Sequence, residues 1–287
     1  MKRDTFLIFA APSVVLMTLL MVIPFGTAIY LGFFNITFRS INDPQYVAWR
    51  NYQEVLTDPG FWEAALFTLI FIVVVVPLHI IVGFAIALLI DQTNRSRGFY
   101  IAGSLLPYIV TPVVGTLMFR QIFDRNGLYP YLLEQIGFDI NFFISGDMVR
   151  ALILFHGVWY ITPFALITLF AGLQTVPKEP LEAAYVDGAN WWERMWFVVV
   201  PHLRSLLLFV TLISTMDAYR IFDSVFILSR DNPRYNAETI MYYTYNTALG
   251  VGRLGKANAM AVITVLGIFF ILIPFLIVTY RQQVEER

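Results

Sequence analysis

The sequence predicts an all-α membrane protein with six transmembrane helices. Of its 287 residues, 58% are hydrophobic and only 14% are charged, whereas an ordinary soluble domain has about 25% charged residues. A soluble protein this apolar would expose patches that aggregate, but lipid solvates such surfaces. The chain also contains six largely apolar stretches of about 20 residues or more, which is the length that a helix needs to cross a bilayer.

The six predicted spans follow one another with short polar connections. They cover about 6–34, 66–90, 101–123, 149–173, 197–228 and 257–280. Hydrocarbon does not tolerate unpaired backbone groups, so each span is expected to be helical. Pro107 and Pro112 are expected to break the third span, and Pro163 is expected to interrupt the fourth. The first stretch is longer than the apolar region of a secretory signal, about 7–15 residues, and is therefore interpreted as a retained span.

The organisation and orientation of the chain follow from its repeats and its basic residues. No internal repeat or linker is visible, so residues 1–287 are interpreted as one transmembrane domain. Cytoplasmic loops carry an excess of Lys and Arg, and the short turn at 91–99 holds Arg95 and Arg97 with a single acid. This turn is placed inside, which puts both termini, with Lys2 at one end and Arg287 at the other, in the cytoplasm.

Several classes of site are excluded or disfavoured by composition. The net charge of −1 offers no bulk attraction to nucleic acid, and the absence of cysteine excludes disulfides, thiolate catalysis and cysteine metal sites. His79, His156 and His202 lie far apart inside apolar stretches, so we expect hydrogen-bonded or interfacial histidines and no metal site.

One stretch imitates a nucleotide-binding loop. Residues 250–257 read Gly-Val-Gly-Arg-Leu-Gly-Lys-Ala, close to the phosphate-binding pattern G-x-x-x-x-G-K-[ST]. Ala257 replaces the hydroxyl that binds Mg²⁺, and no strand precedes the loop as that motif requires. The segment also lies on the outer side in the predicted topology, so ATP binding by this chain is rejected.

The connection between the fourth and fifth spans, about 176–201, predicts two short helices on the cytoplasmic face. Pro177 and Pro180 suit a helix start, where a missing N–H costs nothing. Gly188 suits the turn that follows a short helix. Asn190 can then cap a second helix, with Glu193 three residues later as in a capping box.

This connection resembles the EAA signature of the membrane subunits of binding-protein-dependent ABC importers. The matching residues are Glu182, Ala183, Ala184, Gly188, Val198 and Pro201. Asp187-Gly188-Ala189 resembles the form usual in the carbohydrate branch of that family. The same branch is matched by residues 106–108, 222–223, 228–229 and 255–261, so the resemblance extends over nearly the whole chain.

The resemblance implies a type I ABC importer permease fold with a cytoplasmic coupling helix. It implies partners: a second homologous permease subunit, a dimer of ATP-binding subunits, an extracytoplasmic solute-binding protein and a sugar substrate, in a bacterial inner membrane. It implies no catalysis and no cofactor in this chain, since ATP and Mg²⁺ belong to the partner ATPase. The residues expected to couple to that ATPase are Glu182, Ala183, Ala184, Tyr185, Asp187 and Gly188.

Polar groups in the fifth span give a first set of candidate substrate residues, because such groups are costly in a membrane and suggest function. Ser214, Asp217, Arg220 and Asp223 recur every three residues and share roughly one helix face. They form either a structural salt-bridge ladder or the lining of a hydrated cavity. Because Arg can hold an acid group through two hydrogen bonds, an anionic sugar derivative is one possible cargo.

Similarity to the maltose-type permeases of the branch implies a second set of substrate contacts. These fall on Tyr108, Pro112, Tyr160, Ile161, Phe164, Ser214, Ala218 and Ile221. The aromatic members fit a sugar, whose C–H faces stack on rings.

Two other functions fit the sequence less well. An ion-coupled secondary transporter would use Asp217 and Asp223 as ion sites, but such transporters typically contain inverted repeats. A membrane-embedded enzyme lacks support, since no nucleophile–base pair, HExxH motif or paired acid motif is present. The sequence does not identify the sugar.

Overall fold

The computed structural model describes residues 3–93, 95–229, 232 and 236–285. Lys2 and Arg287, which were placed on the cytoplasmic side, lie outside the described residues. The α-helices are Arg3–Met17 (α1), Ile23–Leu31 (α2), Arg50–Leu56 (α3), Pro59–Asp91 (α4), Arg97–Ile109 (α5), Pro112–Phe123 (α6), Leu128–Gln135 (α7), Gly146–Leu173 (α8), Lys178–Val186 (α9), Trp191–Arg194 (α10), Val200–His202 (α11), Arg204–Tyr219 (α12), Asp223–Ser229 (α13), Ile240–Tyr245 (α14) and Leu254–Glu285 (α15). Short π-helical segments cover Thr18–Val22, Met195–Val199 and Asn246–Gly250, and two short strands cover Phe34–Asn35 (β1) and Gln45–Tyr46 (β2).

The predicted apolar spans appear as long helices and as bent pairs of helices. Within the described residues, four stretches are long and apolar enough to cross a membrane: Phe9–Leu31, Pro59–Asp91, Gly146–Leu173 and Leu254–Val278. Two further candidates are bent pairs, Arg97–Ile109 with Pro112–Gln135 at 98° and Trp191–His202 with Arg204–Tyr219 at 70°. Counting each pair as one span gives six.

Proline acts differently in the third and fourth spans. The third breaks at Val110–Thr111, and Pro112 starts α6, as predicted, but the break expected at Pro107 is absent, because α5 continues through it to Ile109. The prediction that Pro163 interrupts the fourth span was wrong, because α8 continues through it. Proline is tolerated inside spans where neighbouring groups compensate for the lost backbone bond, and α8 runs past Pro163 to Leu173.

The fifth span differs most from its predicted bounds of 197–228. It bends at Leu203, two residues after Pro201, and its second helix ends at Tyr219. A separate short helix, α13, then begins at Asp223. An acidic residue in the first turn suits the positive end of a helix, which explains why helical structure resumes there as a new element.

One compact unit comprises Met1–Glu63 and Ile240–Phe270. Its two strands pair antiparallel, with Phe34 opposite Tyr46. The buried Asn51 amide donates to the Gly32 and Phe34 carbonyls, both at 2.9 Å. These bonds satisfy backbone groups where the chain leaves α2 and fix α3 beside the hairpin.

The second compact unit comprises Ala64–Thr239 and Ile271–Arg287. In it, α8 packs against α5, α12 and α13, while α6 packs against α13. Its core includes Ala165, Leu169 and Val210, which are fully buried. The cavity and the connection described next belong to this unit.

Candidate substrate cavity and coupling segment

A cavity of about 430 Å³ opens among α5, α6, α8, α12 and α13. Its walls combine aromatic, hydroxyl and charged side chains. The lining residues are Tyr108, Pro112, Thr116, His156, Tyr160, Ile161, Phe164, Asp217, Arg220, Ile221, Phe222, Asp223 and Ser224. Polar groups grouped around a cavity in a membrane protein mark a substrate path more often than a structural site.

Eight of the ten predicted substrate-path residues line this one cavity. They are Tyr108, Pro112, Tyr160, Ile161, Phe164, Asp217, Arg220 and Ile221. The third span supplies Tyr108 and Pro112 because its break at 110–111 turns the end of α5 and the start of α6 toward α8. The juxtaposition unites positions that are more than 100 residues apart in sequence.

Ser214 and Ala218 do not line the cavity. Both are buried, with 1% and 0% of their surface exposed. The Ser214 hydroxyl lies 2.9 Å from Nε2 of His79. Ser214 follows the core residue Val210 by one turn and shares its face of α12. That face is turned into the helix packing, so these two residues contact protein and not the cavity.

The aromatic wall centres on two tyrosines. The ring centroids of Tyr108 and Tyr160 lie 6.1 Å apart at 40°. The Tyr160 ring also stacks almost parallel on His156, at 5.9 Å and 7°. Rings held in this way present an apolar surface edged by hydroxyl groups, which suits a ligand with C–H faces and hydroxyls.

The charged wall lies where α12 ends and α13 begins. Arg220 Nη2 donates to Asp217 Oδ1 at 2.6 Å, and both side chains remain substantially exposed. Asp223 also lines the cavity, but from the first turn of α13. The expected single helix face through Ser214, Asp217, Arg220 and Asp223 is therefore wrong, because α12 ends at Tyr219, between Asp217 and Arg220, and Asp223 begins a separate helix.

A hydrogen-bonded cluster that also lines the cavity was not predicted as functional. His156 is 1% exposed, with its Nδ1 2.8 Å from Ser224 Oγ and its Nε2 3.3 Å from Thr116 Oγ1. The sequence correctly indicated a satisfied histidine, but nothing in it placed the partners on α6 and α13. Within the described residues, no group of three or more His, Asp or Glu side chains has the arrangement of a metal site.

The connection at 176–201 has the predicted local structure. Pro177 precedes α9, and Gly188 adopts the left-handed backbone with φ +84°. Asn190 and Glu193 form the full capping box: the Glu193 N–H donates to Asn190 Oδ1 (3.0 Å), and the Asn190 N–H donates to Glu193 Oε2 (2.7 Å). The expected coupling residues Glu182, Ala183, Ala184, Tyr185, Asp187 and Gly188 lie on α9 and its turn, where Ala184 is half-buried and the other five are exposed.

Apolar packing anchors α9 to the spans. Leu181 packs against a buried cluster formed by Met195, Val199 and Leu203. The same cluster contacts Leu173, the last residue of α8. One side of the coupling segment is thus fixed to the transmembrane helices while the other remains open.

The glycine-rich stretch 250–257 is a structural element of the first unit. Lys256 Nζ donates to Asp58 Oδ2 at 2.6 Å, and Arg253 donates to Glu54. Gly252 adopts a φ of +77°, a conformation that favours glycine. The lysine of the stretch is thus engaged by a carboxylate, and helix α15 begins inside the stretch at Leu254.

Known proteins similar to this chain are transport permeases. No protein-family model matches the chain. It is 28% identical over 291 residues to the probable ABC transporter permease protein y4oQ of Sinorhizobium fredii, covering 100% of this chain and 93% of that protein. It is 29% identical over 246 residues to the trehalose/maltose transport system permease protein MalF of Thermococcus litoralis, covering 85% and 81%.

The fold is also that of a solved transporter. A crystal structure of a bacterial ABC transporter involved in the import of the acidic polysaccharide alginate matches with a TM-score of 0.79 and 18% identity, covering 97% of this chain and 96% of that chain. The chain therefore has the helical membrane fold of that transporter and is similar over most of its length to permease proteins of sugar ABC transporters.

Proposed function

We propose that this chain is the membrane-spanning permease subunit of an ATP-driven, binding-protein-dependent importer of a sugar or sugar derivative, and that it forms half of the translocation pathway. The cavity carries this proposal. Its two facing tyrosines offer stacking surfaces, while Asp217, Arg220 and Asp223 offer hydrogen-bonding groups to hydroxyls. Named relatives transport trehalose or maltose, and a similar fold serves alginate import.

The charged wall of the cavity bears on whether the transported sugar itself carries a charge. Arg220 already bonds to Asp217, and Asp223 adds a second carboxylate to the same wall. An acidic sugar would have to draw Arg220 away from its partner, whereas a neutral sugar can bond to the pair as it stands. A neutral cargo therefore fits this half of the pathway better than an anionic derivative.

The chain itself does no chemistry in this proposal. ATP and Mg²⁺ are held by two ATPase subunits, while a second permease subunit completes the pathway and a soluble binding protein delivers the sugar. The chain lies in a bacterial inner membrane with both termini in the cytoplasm, where α9 can reach the ATPase. Closure of the ATPase dimer moves α9 as a rigid body and biases the spans between two packed arrangements.

The proposal is tested with the chain reconstituted in proteoliposomes with its gene neighbours: the ATPase, the second permease and the binding protein. Glu182→Ala and Gly188→Val should each abolish ATP-dependent sugar uptake and weaken copurification of the ATPase. Glu179→Gln, on the same helix but outside the coupling set, is the matched control and should transport normally. Undiminished uptake and copurification in both coupling variants would refute the role of α9.

An ion-coupled transporter remains the alternative, because Asp217 and Asp223 both reach the cavity. It predicts sugar uptake into liposomes that contain this chain alone, collapsed by an ionophore and unaffected by ATP. The importer predicts no uptake without the partner subunits.

A further inference from the structure

A buried arginine lies next to the cavity but does not line it. Arg120 is in the last turn of α6, inside the bent third span, and only 9% of its surface is exposed. Its Nη1 donates to the carbonyl oxygens of Ile227 and Leu228, and its guanidinium carbon lies 4.7 Å from the centre of the Phe143 ring. A permanent charge buried this deeply in a span indicates a specific role.

The two carbonyls identify what the arginine binds. Ile227 and Leu228 belong to the last turn of α13, whose final carbonyl groups have no partners within the helix and carry partial negative charge. A guanidinium placed there complements that charge and fixes the carboxyl end of the helix. Arg120 therefore joins α6 to α13 through two charge-assisted bonds.

The amino end of α13 is joined to the same helix. Ser224 contacts His156, and His156 contacts Thr116. Thr116 precedes Arg120 by four residues, so both occupy one face of α6. One face of α6 thus holds both ends of α13, directly at one end and through a histidine at the other.

The held helix forms part of the cavity wall. Asp223 and Ser224 line the cavity from the first turn of α13, and the break that precedes it supplies Arg220. The Thr239 hydroxyl also donates to the Ile221 carbonyl in this break (3.0 Å). A shift of α13 relative to α6 would move these lining groups together.

We propose that Arg120 is a positioning residue for the transported sugar: it holds α13 against α6, so that the wall bearing Asp223 and Ser224 keeps one geometry and moves with α6 as one body when the pathway opens. Arg120 acts on sugar affinity without contacting the sugar. This proposal rests on the proposed transport function.

The test uses the complete reconstituted importer with radiolabelled trehalose and maltose as probes. Arg120→Met fills the space without hydrogen bonds, and Arg120→Lys keeps the charge and can reach one carbonyl. Arg120→Met should raise KM for uptake about tenfold or more, as expected when bonds to a charged group are lost, while ATP turnover at saturating sugar changes less than about twofold. Arg120→Lys should recover most of the affinity. Arg125→Met, an exposed arginine just beyond α6, is the control and should match the unmodified chain.

A second measurement does not depend on the identity of the sugar. In hydrogen exchange of the solubilised complex, amides of residues 223–229 should exchange about tenfold faster in Arg120→Met and close to the unmodified rate in Arg120→Lys, while those of α12 stay unchanged. The proposal would be overturned if Arg120→Met left both the KM and the exchange at 223–229 unchanged. It would also be overturned if Arg120→Met lowered kcat about tenfold and left KM unchanged. Neither result would affect the Glu182 and Gly188 tests, so failure here is distinguishable from failure of the transport function.

Discussion

Replacing Asp58 with asparagine removes a charge that two neighbours contact. Asp58 Oδ2 accepts from Lys256 Nζ (2.6 Å) and from the Tyr243 hydroxyl (2.9 Å), and Oδ1 accepts from the Gly60 N–H (3.0 Å). The side chains of Asp58 and Lys256 are only 16% and 12% exposed. Asparagine keeps one oxygen, which can accept from the Gly60 N–H, and places an NH2 group opposite Lys256 and Tyr243, so the substitution removes both the charge and the acceptor of these two side chains.

The magnitude follows from the burial of the pair. Exposed ion pairs contribute about 0–1 kcal/mol, whereas removing one partner of a fully buried pair costs about 3–5 kcal/mol. This pair is largely but not completely buried, so Asp58→Asn should lower the free energy of unfolding by about 2–3 kcal/mol. The assay is equilibrium unfolding in mixed detergent micelles, with the exposed Glu63→Gln as a matched control that should change little.

A double-mutant cycle separates the pair from its surroundings. Lys256→Met alone should also destabilise the protein, because it leaves the Asp58 charge without its cation. The double variant Asp58→Asn with Lys256→Met leaves no charge behind and should be more stable than the sum of the single changes predicts, by about 1 kcal/mol or more. Strict additivity of the two changes would refute the reasoning, since it would mean that the groups do not interact.

Three further predictions concern acid stability, sugar affinity and the buried serine. Burial raises the pKa of Asp58, but its hydrogen bonds to lysine and tyrosine outweigh this and hold the pKa below its ordinary value of 3.8; its stabilising effect should therefore be full at neutral pH and vanish as pH falls through the folded-state pKa, which is measured as the difference in unfolding free energy between the unmodified chain and Asp58→Asn. Tyr160→Ala should weaken sugar binding to the complex about three- to tenfold through lost ring contact, measured by equilibrium dialysis, whereas Phe155→Ala on the same helix but outside the cavity should not. Ser214→Ala should lower stability by about 1 kcal/mol, since it leaves a buried histidine nitrogen without its partner, yet leave the KM for uptake unchanged; a raised KM with normal stability would place this serine in the substrate path after all.

Local signals predicted local structure well. Asn190 with Glu193 predicted a capping box, and both of its hydrogen bonds are present. Pro112 predicted a break because it lacks an N–H, and it begins a helix. Each of these outcomes is decided by residues within one turn of one another, so the sequence contains the necessary information.

The fifth span shows what local signals miss. Its residues beyond Tyr219 are compatible with a continuing helix, and no proline or glycine marks the end of α12. The break at 220–222 is instead supported from a distance, since Thr239 binds the Ile221 carbonyl and Arg120 binds the end of α13. Tertiary contacts of this kind override local propensity. The spacing of three residues between Asp217, Arg220 and Asp223 in the sequence could not reveal them.

The cavity was predicted in part because the family resemblance supplied positions that physical reasoning could not. Nothing in the spacing of the sequence distinguishes Tyr108 and Tyr160 from the aromatic residues that only pack between helices. The resemblance failed for Ser214 and Ala218, where α12 turns those positions into the core. It also gave no indication of His156, whose partners Thr116 and Ser224 are each ordinary in sequence.

The coupling segment and the cavity are connected by continuous packing. Leu181 contacts the Met195 cluster, and Leu206 packs against both that cluster and the core around Ala165 and Val210, against which the cavity residue Phe164 also packs. Packed elements with two arrangements can transmit a shift over such a distance, but contiguity alone does not establish coupling.

A truncation within this packing tests the connection. Leu206→Ala truncates one of the three side chains, with Phe84 and Leu207, that pack against both clusters, and Leu206 neither lines the cavity nor belongs to α9. We expect basal ATP turnover to persist while the sugar taken up per ATP hydrolysed falls about five- to tenfold, a loss within the range by which mutations along such a path change coupling. Phe209→Ala, one turn further along α12 and half-exposed, is the control. If Leu206→Ala lowers ATP turnover and uptake in the same proportion, the mechanical signal travels elsewhere, since a defect confined to transmission must change their ratio.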